Sequence, residues 1–157
     1  MDSPLGPLRL QASPRGLSRV EFTATGALPE AVGSADEGGV GKRSAAVLDA
    51  AQAQLAEYFA RRRRAFELPL DPPTTTEFRA AVHAQLTEIG YGETVAYRDV
   101  AKMLGRPGAT RAVGSACGAN PLLIVRPCHR VLRSDGGLGD YAGGLAAKRF
   151  LLALEEI

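Results

Sequence analysis

Residues 97–118 read YRDVAKMLGRPGATRAVGSACG, and the fold is decided there. Tyr97–Leu104 is short and amphipathic through Val100, Ala101 and Leu104, and it stops at Gly105-Arg106-Pro107-Gly108. A second helix is predicted from about Ala109 to Gly118. Two short helices joined by a tight turn containing glycine predict a helix-turn-helix. A helix that reads the major groove carries long polar side chains that reach base edges. Here nearly every side chain is tiny, apart from Arg111 and Val113. Small side chains let a helix backbone approach a narrow groove, which points to the minor groove and to little sequence preference. The competing explanation is tight helix packing inside the protein.

Working outward, residues 76–157 read as a mostly helical second domain. Thr74-x-x-Glu77 fits a capping box, and Phe78, Val82, Leu86 and Ile89 continue one apolar face. Tyr91-Gly92-Glu93 breaks that helix, and a last helix is predicted over Leu145–Glu156. Residues 71–75, opening Asp71-Pro72-Pro73, are the expected linker, and 1–70 a small α/β domain. In that domain Leu8–Ala12 and Ser18–Thr23 alternate on either side of Ser13-Pro14-Arg15-Gly16 and predict a hairpin. Gly33–Gly41 is expected to be a mobile loop. Ser44 is expected to cap an amphipathic helix ended by Arg61–Arg64, with Phe66–Leu70 as a third strand. The expected class is α+β, a short antiparallel sheet plus helix followed by a winged-helix-like domain.

Composition narrows the function classes. Hydrophobic residues make up 45% of the 157, and 6% are aromatic with no Trp, so the core is expected to be aliphatic. Net charge is only +2, but its distribution is uneven. Between Tyr97 and Arg133 lie Arg98, Lys102, Arg106, Arg111, Arg126, Arg130 and Arg133 against the single acid Asp99. Such concentration is the usual footprint of a polyanion partner, although a solvated basic surface has the same look. No stretch approaches the ~20 apolar residues of a membrane span. The start MDSPLGPLRL lacks the pattern of a signal peptide, so a cytoplasmic protein is expected. Two cysteines, Cys117 and Cys128, are too few for a disulfide framework and are read as reduced thiols.

Pro127-Cys128-His129-Arg130-Val131 is the segment richest in chemistry. A free thiol is mostly protonated at neutral pH, and activating it takes a base with a third group to orient that base. His129 is adjacent in sequence, but adjacent side chains often diverge, so the dipeptide alone is weak. Asn120-Pro121 upstream offers an amide to pin a turn or bond to the thiol. Downstream, Asp140-Tyr141-Ala142-Gly143-Gly144 would let backbone amides approach a planar ligand. With two Cys and two His in the chain and no ligand spacing, no metal and no cofactor is expected.

Taken together these residues resemble the O6-alkylguanine-DNA alkyltransferases. The resemblance is carried by Pro127-Cys128-His129-Arg130-Val131, Arg111-Ala112-Val113-Gly114 and Asn120-Pro121. Gly92-Glu93 with Tyr97, and Tyr141-Ala142-Gly143-Gly144-Leu145 leading to Lys148 and Leu151-Leu152-Ala153-Leu154-Glu155, complete it. These elements follow the family's order and spacing from about Phe78 to Glu155, and Ser3-Pro4-Leu5-Gly6-Pro7-Leu8 looks like its bacterial members.

The resemblance implies repair of DNA by direct reversal: one alkyl group moves irreversibly from O6 of guanine, or O4 of thymine, to Cys128. His129 would draw off the thiol proton through a water, Glu155 would orient His129, and Asn120 would brace the turn. Tyr97 would donate to the departing guanine. Backbone groups at Cys128, Val131 and Ala142 would read the base, with Tyr141 and Gly143 in its pocket. Arg111 would fill the gap left by a flipped nucleotide. Ala112, Gly114, Ser115, Ala116, Arg98, Arg79 and Ser134 would contact DNA. The implied partner is duplex DNA holding O6-alkylguanine, bound by a monomer, with cooperative assembly on DNA left open.

Some positions depart from the family pattern. Ala142 stands where some members have Ser, Arg126 where an apolar residue is expected, and Cys117 on the small-residue helix is unexpected. Arg126 is taken as exposed, with thiol activation or a phosphate contact as its other readings. Cys117 is taken as a surface residue, with a second, adventitious thiol or a disulfide to Cys128 as the sharper alternatives. No Cys or His precedes His83, so the N-terminal zinc of some relatives is not expected. A lesion sensor without transfer, a Cys-His hydrolase and a transcriptional helix-turn-helix are the competing functions. The acceptor thiol, the lack of a recognisable oxyanion hole and the lack of base-reading side chains weigh against them in turn.

Overall fold

The computed structural model describes residues 1–23 and 39–156, which form two compact units, Met1–Pro73 and Thr74–Ile157. Most of the expected Gly33–Gly41 loop lies outside the described residues.

In the first unit, β1 (Leu8–Ser13) and β2 (Gly16–Phe22) pair antiparallel from Leu8↔Phe22 to Ser13↔Gly16, with an irregularity at Gln11/Ala12. The predicted hairpin is therefore present. Leu8, Leu17 and Val20 are buried; Leu17 and Val20, three apart, both turn inward because the irregularity opposite Gln11/Ala12 puts one extra residue, Ser18, between them. Helix α1 (Gly39–Phe59) covers the hairpin with Ala51, Leu55 and Tyr58, which share one face at helical spacing and are fully buried.

Three details differ from expectation. Ser44 lies inside α1, its Oγ donating to the Val40 carbonyl at 3.3 Å, so it caps nothing. Arg61–Arg64 ends the helix through its backbone rather than by basic side chains in the last turn. Arg61 takes a left-handed φ of 58°, and Arg62 N reaches back to Glu57 O at 2.8 Å, a Schellman ending without glycine. Phe66–Leu70 forms no strand, only one parallel bridge at Leu17↔Leu70. Pro69, Pro72 and Pro73 have no N–H to extend a ladder. A side chain at Gly16 would meet Pro69 C and O at 2.6 Å, so this close approach needs glycine.

In the second unit, α2 (Glu77–Leu86) is capped by Thr76, whose Oγ1 accepts from Arg79 N, not by the Thr74–Glu77 box. Its buried face is Val82, His83 and Leu86. The pair of helices predicted at 97–118 is present as α3 (Tyr97–Met103) and α4 (Thr110–Gly118), joined through Gly105 at φ 69°. Both α2 and α3 pack on α4. A two-residue parallel ladder, β3 (Val95–Ala96) on β4 (Val131–Leu132), is too short to leave a periodic signal. It positions the site, because Tyr97 follows β3 directly and a single 3-10 turn, Cys128–Arg130, runs straight into β4. Helix α5 (Leu145–Glu155) closes the unit with Ala147, Lys148, Leu151, Leu154 and Glu155 buried, while Leu145 stays exposed. Among the described residues no helix is long and apolar enough to cross a membrane. The class is α+β, with a small antiparallel sheet and a helical second unit.

Candidate active site

Cys128 opens the 3-10 turn and is 3% exposed. The turn before it is strained: Ile124 has φ 71°, rarely adopted by a β-branched residue. Asn120 holds it in place. Its Nδ2 donates to Arg126 O at 2.9 Å and to Cys128 Sγ at 3.3 Å, while its Oδ1 accepts from Leu122 N. Burial pushes the Cys128 thiol above its ordinary range, and the Asn120 hydrogen bond and the Lys148 charge pull the other way.

The imidazole of His129 is fully buried behind the thiol's turn. Its Nε2 lies 2.8 Å from Glu155 Oε1, brought from the last turn of α5. Arg130 grips the same carboxylate, Nε to Oε2 at 2.8 Å and Nη2 to Oε1 at 2.9 Å, and its Nη1 donates to Ile89 O. A carboxylate so held accepts from Nε2–H, which leaves the lone pair on Nδ1. That Nδ1 is buried with no hydrogen-bond partner among the described residues. Burial pushes His129 below the ordinary imidazole range; Glu155 opposes this, and the charges of Arg130 and Lys148 reinforce it. The ring is a neutral base.

The thiol opens on a cavity of about 170 Å³ lined by Gly114, Cys117, Gly118, Cys128, Asp140, Tyr141 and Ala142. That is smaller than the roughly 300–1,000 Å³ of ordinary ligand pockets and suits one planar heterocycle. Tyr97, Val131 and Gly143 lie outside this lining. Tyr97 touches it through its hydroxyl, which donates to Asp140 O at 3.3 Å. Burial, with Cys117, Cys128 and Asp140 adding to it, pushes that phenol up to about 12, so it stays a proton donor. Val131 is fully buried; its N–H donates to Cys128 O and its carbonyl accepts from Lys148.

Lys148 is the residue whose role sequence reasoning missed, although it stands in the motif. It is fully buried, and Nζ donates to Val131 O at 2.7 Å, Asp140 O at 3.2 Å and Tyr97 Oη at 3.4 Å. One ammonium thus ties β4, the 140–142 loop and α3 together. Burial lowers its pKa, which Cys128, Cys117 and Asp140 resist. Gly139 was missed too: at φ 66°, with Tyr97 atoms 2.8 Å from where a Cβ would sit, only glycine fits against that ring. His83 is the third, its buried Nε2 bonded to Ala116 O at 2.7 Å beneath α4. A histidine at the end of an amphipathic face was the only signal.

Helix α4 divides sharply. Arg111, Ala112 and Ser115 are exposed and Gly114 is half-buried, whereas Val113, Ala116 and Cys117 face inward. Ala116, expected among the DNA contacts, is a correction: it is 0% exposed, and its carbonyl is taken by His83. Cys117 is likewise buried, not superficial, and both cysteines are free thiols. Arg126 is half-buried, its Nε sealed from solvent, rather than exposed. Burial lowers its pKa. Arg98 is exposed beside Asp99, Arg79 is half-buried, and Ser134 is exposed. No cluster of three or more His, Cys, Asp or Glu side chains suited to a metal occurs among the described residues.

Comparison with known proteins agrees over the whole chain. Residues 1–72 match the family described as 6-O-methylguanine DNA methyltransferase, ribonuclease-like domain, and residues 77–157 its DNA binding domain. The methylated-DNA–protein-cysteine methyltransferase of Methanosarcina barkeri is 41% identical, over 99% of this chain and 94% of its own. Its namesake in Mycobacterium leprae is 40% identical over 99% and 90%. Among solved structures, the Mycobacterium tuberculosis O6-methylguanine methyltransferase superposes with a TM-score of 0.82 at 37% identity, covering 99% of this chain and 90% of that one. The same protein's complex with DNA superposes equally well. With both halves matched and the identity spread over nearly every residue, this chain belongs to the 6-O-methylguanine DNA methyltransferase family.

Proposed function

We propose that Cys128 is the residue on which this chain carries out its family's reaction, transfer of an alkyl group from methylated DNA to a protein cysteine. The observation that carries this reading is the single free nitrogen of His129, fixed as a base by Glu155 one residue from a thiol that faces a base-sized cavity. The Cys128 proton leaves toward His129 Nδ1, through a water. The Sγ–C bond then forms as the C–O6 bond breaks, and the electron pair returns to the guanine ring. Tyr97 passes its phenolic proton to the purine, which departs neutral, and the phenolate is reprotonated from solvent. His129 releases the thiol's proton to solvent, so that in net terms guanine gains the proton the thiol loses; the thioether has no return path, so each molecule acts once.

O6 of guanine is buried in a duplex, so the base must swing out, at a cost of a few kcal/mol. The exposed face of α4 suits the minor groove. Ala112, Gly114 and Ser115 present almost no bulk, and Arg111 projects from the first turn to fill the emptied stack. Arg98, Arg79 and Ser134 are the proposed backbone contacts, Arg79 with only part of its side chain accessible. The Ala142 amide, the Val131 backbone, Tyr141 and Gly143 complete recognition of the base, and the protein acts as a monomer without a metal. Single-turnover incubation with a duplex holding O6-methylguanine tests the reading. Loss of the lesion should stop at one equivalent of protein, and Cys128→Ala should leave the lesion intact. Lesion removal by that variant refutes the assignment.

A further inference from the structure

Residues Gly114, Cys117 and Gly118 lie at positions i, i+3 and i+4 of α4, and all three line the cavity that holds Cys128. Two of the three are glycines, and a Cβ built on either meets nothing within 4 Å. Cys117 therefore supplies the whole side-chain bulk of that wall. The rest of the lining is Cys128, Asp140, Tyr141 and Ala142, and Tyr141 carries a buried hydroxyl with no hydrogen-bond partner among the described residues.

We propose that Cys117 is a specificity-determining residue that sets how large an alkyl group can reach Cys128. The proposal rests on the reading of Cys128 as acceptor. Burial, with Cys128 beside it, pushes the Cys117 thiol up to about 12, against the pull of Lys148. Its influence is steric. An alkyl group in line for attack on its carbon sits beside Sγ of Cys128, against whichever wall is closest, and this wall has one side chain to yield or to obstruct. One methylene in an apolar pocket changes discrimination by roughly 10–200-fold, so small changes at position 117 should be readable.

The test compares second-order rate constants for duplexes holding O6-methylguanine and O6-benzylguanine, in the full-length chain and in Cys117→Ala, Cys117→Ser and Cys117→Met. The benzyl-to-methyl ratio should rise roughly 10-fold or more in Cys117→Ala and fall by a similar factor in Cys117→Met, with Cys117→Ser near the parent. The ratio cancels loss of folded protein, and the smaller variants guard against a Met that overpacks. A ratio within about twofold of the parent in both Ala and Met variants overturns the inference alone. Absence of any transfer by the parent chain overturns it together with the assignment of Cys128.

Discussion

His129 and Glu155 meet inside the core across 2.8 Å, with 0% and 1% of their surfaces exposed. Arg130 clamps the same carboxylate from its other side. Two sequence neighbours, His129 and Arg130, therefore converge on one acid 26 and 25 residues downstream of them. That convergence selects the imidazole tautomer and so decides which nitrogen can act as base.

Replacing Glu155 by Gln removes the charge that dictates this tautomer. Transfer should slow by about 10²–10⁴-fold, the usual worth of general base catalysis. Arg130 would keep its burial but lose its counter-charge, costing about 3–5 kcal/mol of stability. Single-turnover rates at a temperature where the variant stays folded, with a denaturant midpoint alongside, measure the two effects separately. An unchanged rate contradicts the relay.

The pH dependence follows from two histidines held below the ordinary 6.5 by burial, His129 and His83. The Arg126 and Arg79 charges add to the effect at His83, and its bond to Ala116 opposes it. A depressed folded-state pKa contributes stability that is complete above 6.5 and is lost as pH falls from there through the folded value. The transfer rate should likewise hold level through pH 6.5 and decline only at lower pH, where His129 gains its proton. A rate profile and a melting series over the same range check this. A rate that halves at pH 6.5 contradicts it.

Lys148→Met keeps the buried stem but removes three hydrogen bonds. Taking the donor from the buried Val131 carbonyl should cost about 1–3 kcal/mol, while Asp140 O keeps the Tyr97 hydroxyl. Tyr97 would lose one of its two hydrogen bonds, so transfer should weaken further than melting accounts for. Thermal unfolding and single-turnover kinetics on one preparation test this.

Arg111 is exposed on α4, so Arg111→Ala should alter stability by no more than about 0.5 kcal/mol. Transfer from a lesion in duplex DNA should fall far more than transfer from the free alkylated base, which needs no flipping. Equal losses on both substrates would remove Arg111 from the DNA-binding role.

What could be read from the chain divides along physical lines. The hairpin, α3 and α5 were legible because each buries a face at the period of its own geometry, and α4 through the glycine-containing turn that pairs it with α3. Helix starts were not: Ser44 and Thr74 have capping chemistry, but Gly39 and Thr76 begin the helices, since a cap depends on the local backbone as much as on residue type. Phe66–Leu70 looked like a strand because Phe66, Leu68 and Leu70 are apolar; Pro69 within it and Pro72-Pro73 after it allow only one bridge. Cys128, His129, Asn120 and Glu155 stood out through motif spacing, yet which nitrogen of His129 is free depended on Arg130, visible only in three dimensions. Lys148 and His83 were passed over because a buried cation and a buried imidazole look, in a string of letters, like solvated ones. Ala116 and Cys117 were misplaced for the opposite reason: on a helix of tiny residues, no contrast tells the inner face from the outer.

The most direct test of the whole account is peptide mass analysis after the protein has met one equivalent of duplex holding a single O6-methylguanine. The account predicts a one-methyl increase confined to the peptide with Cys128, in proportion to lesion lost, and an unmodified Cys117. A methyl group found on Cys117 instead, or lesion consumed with both cysteines unchanged, would contradict it.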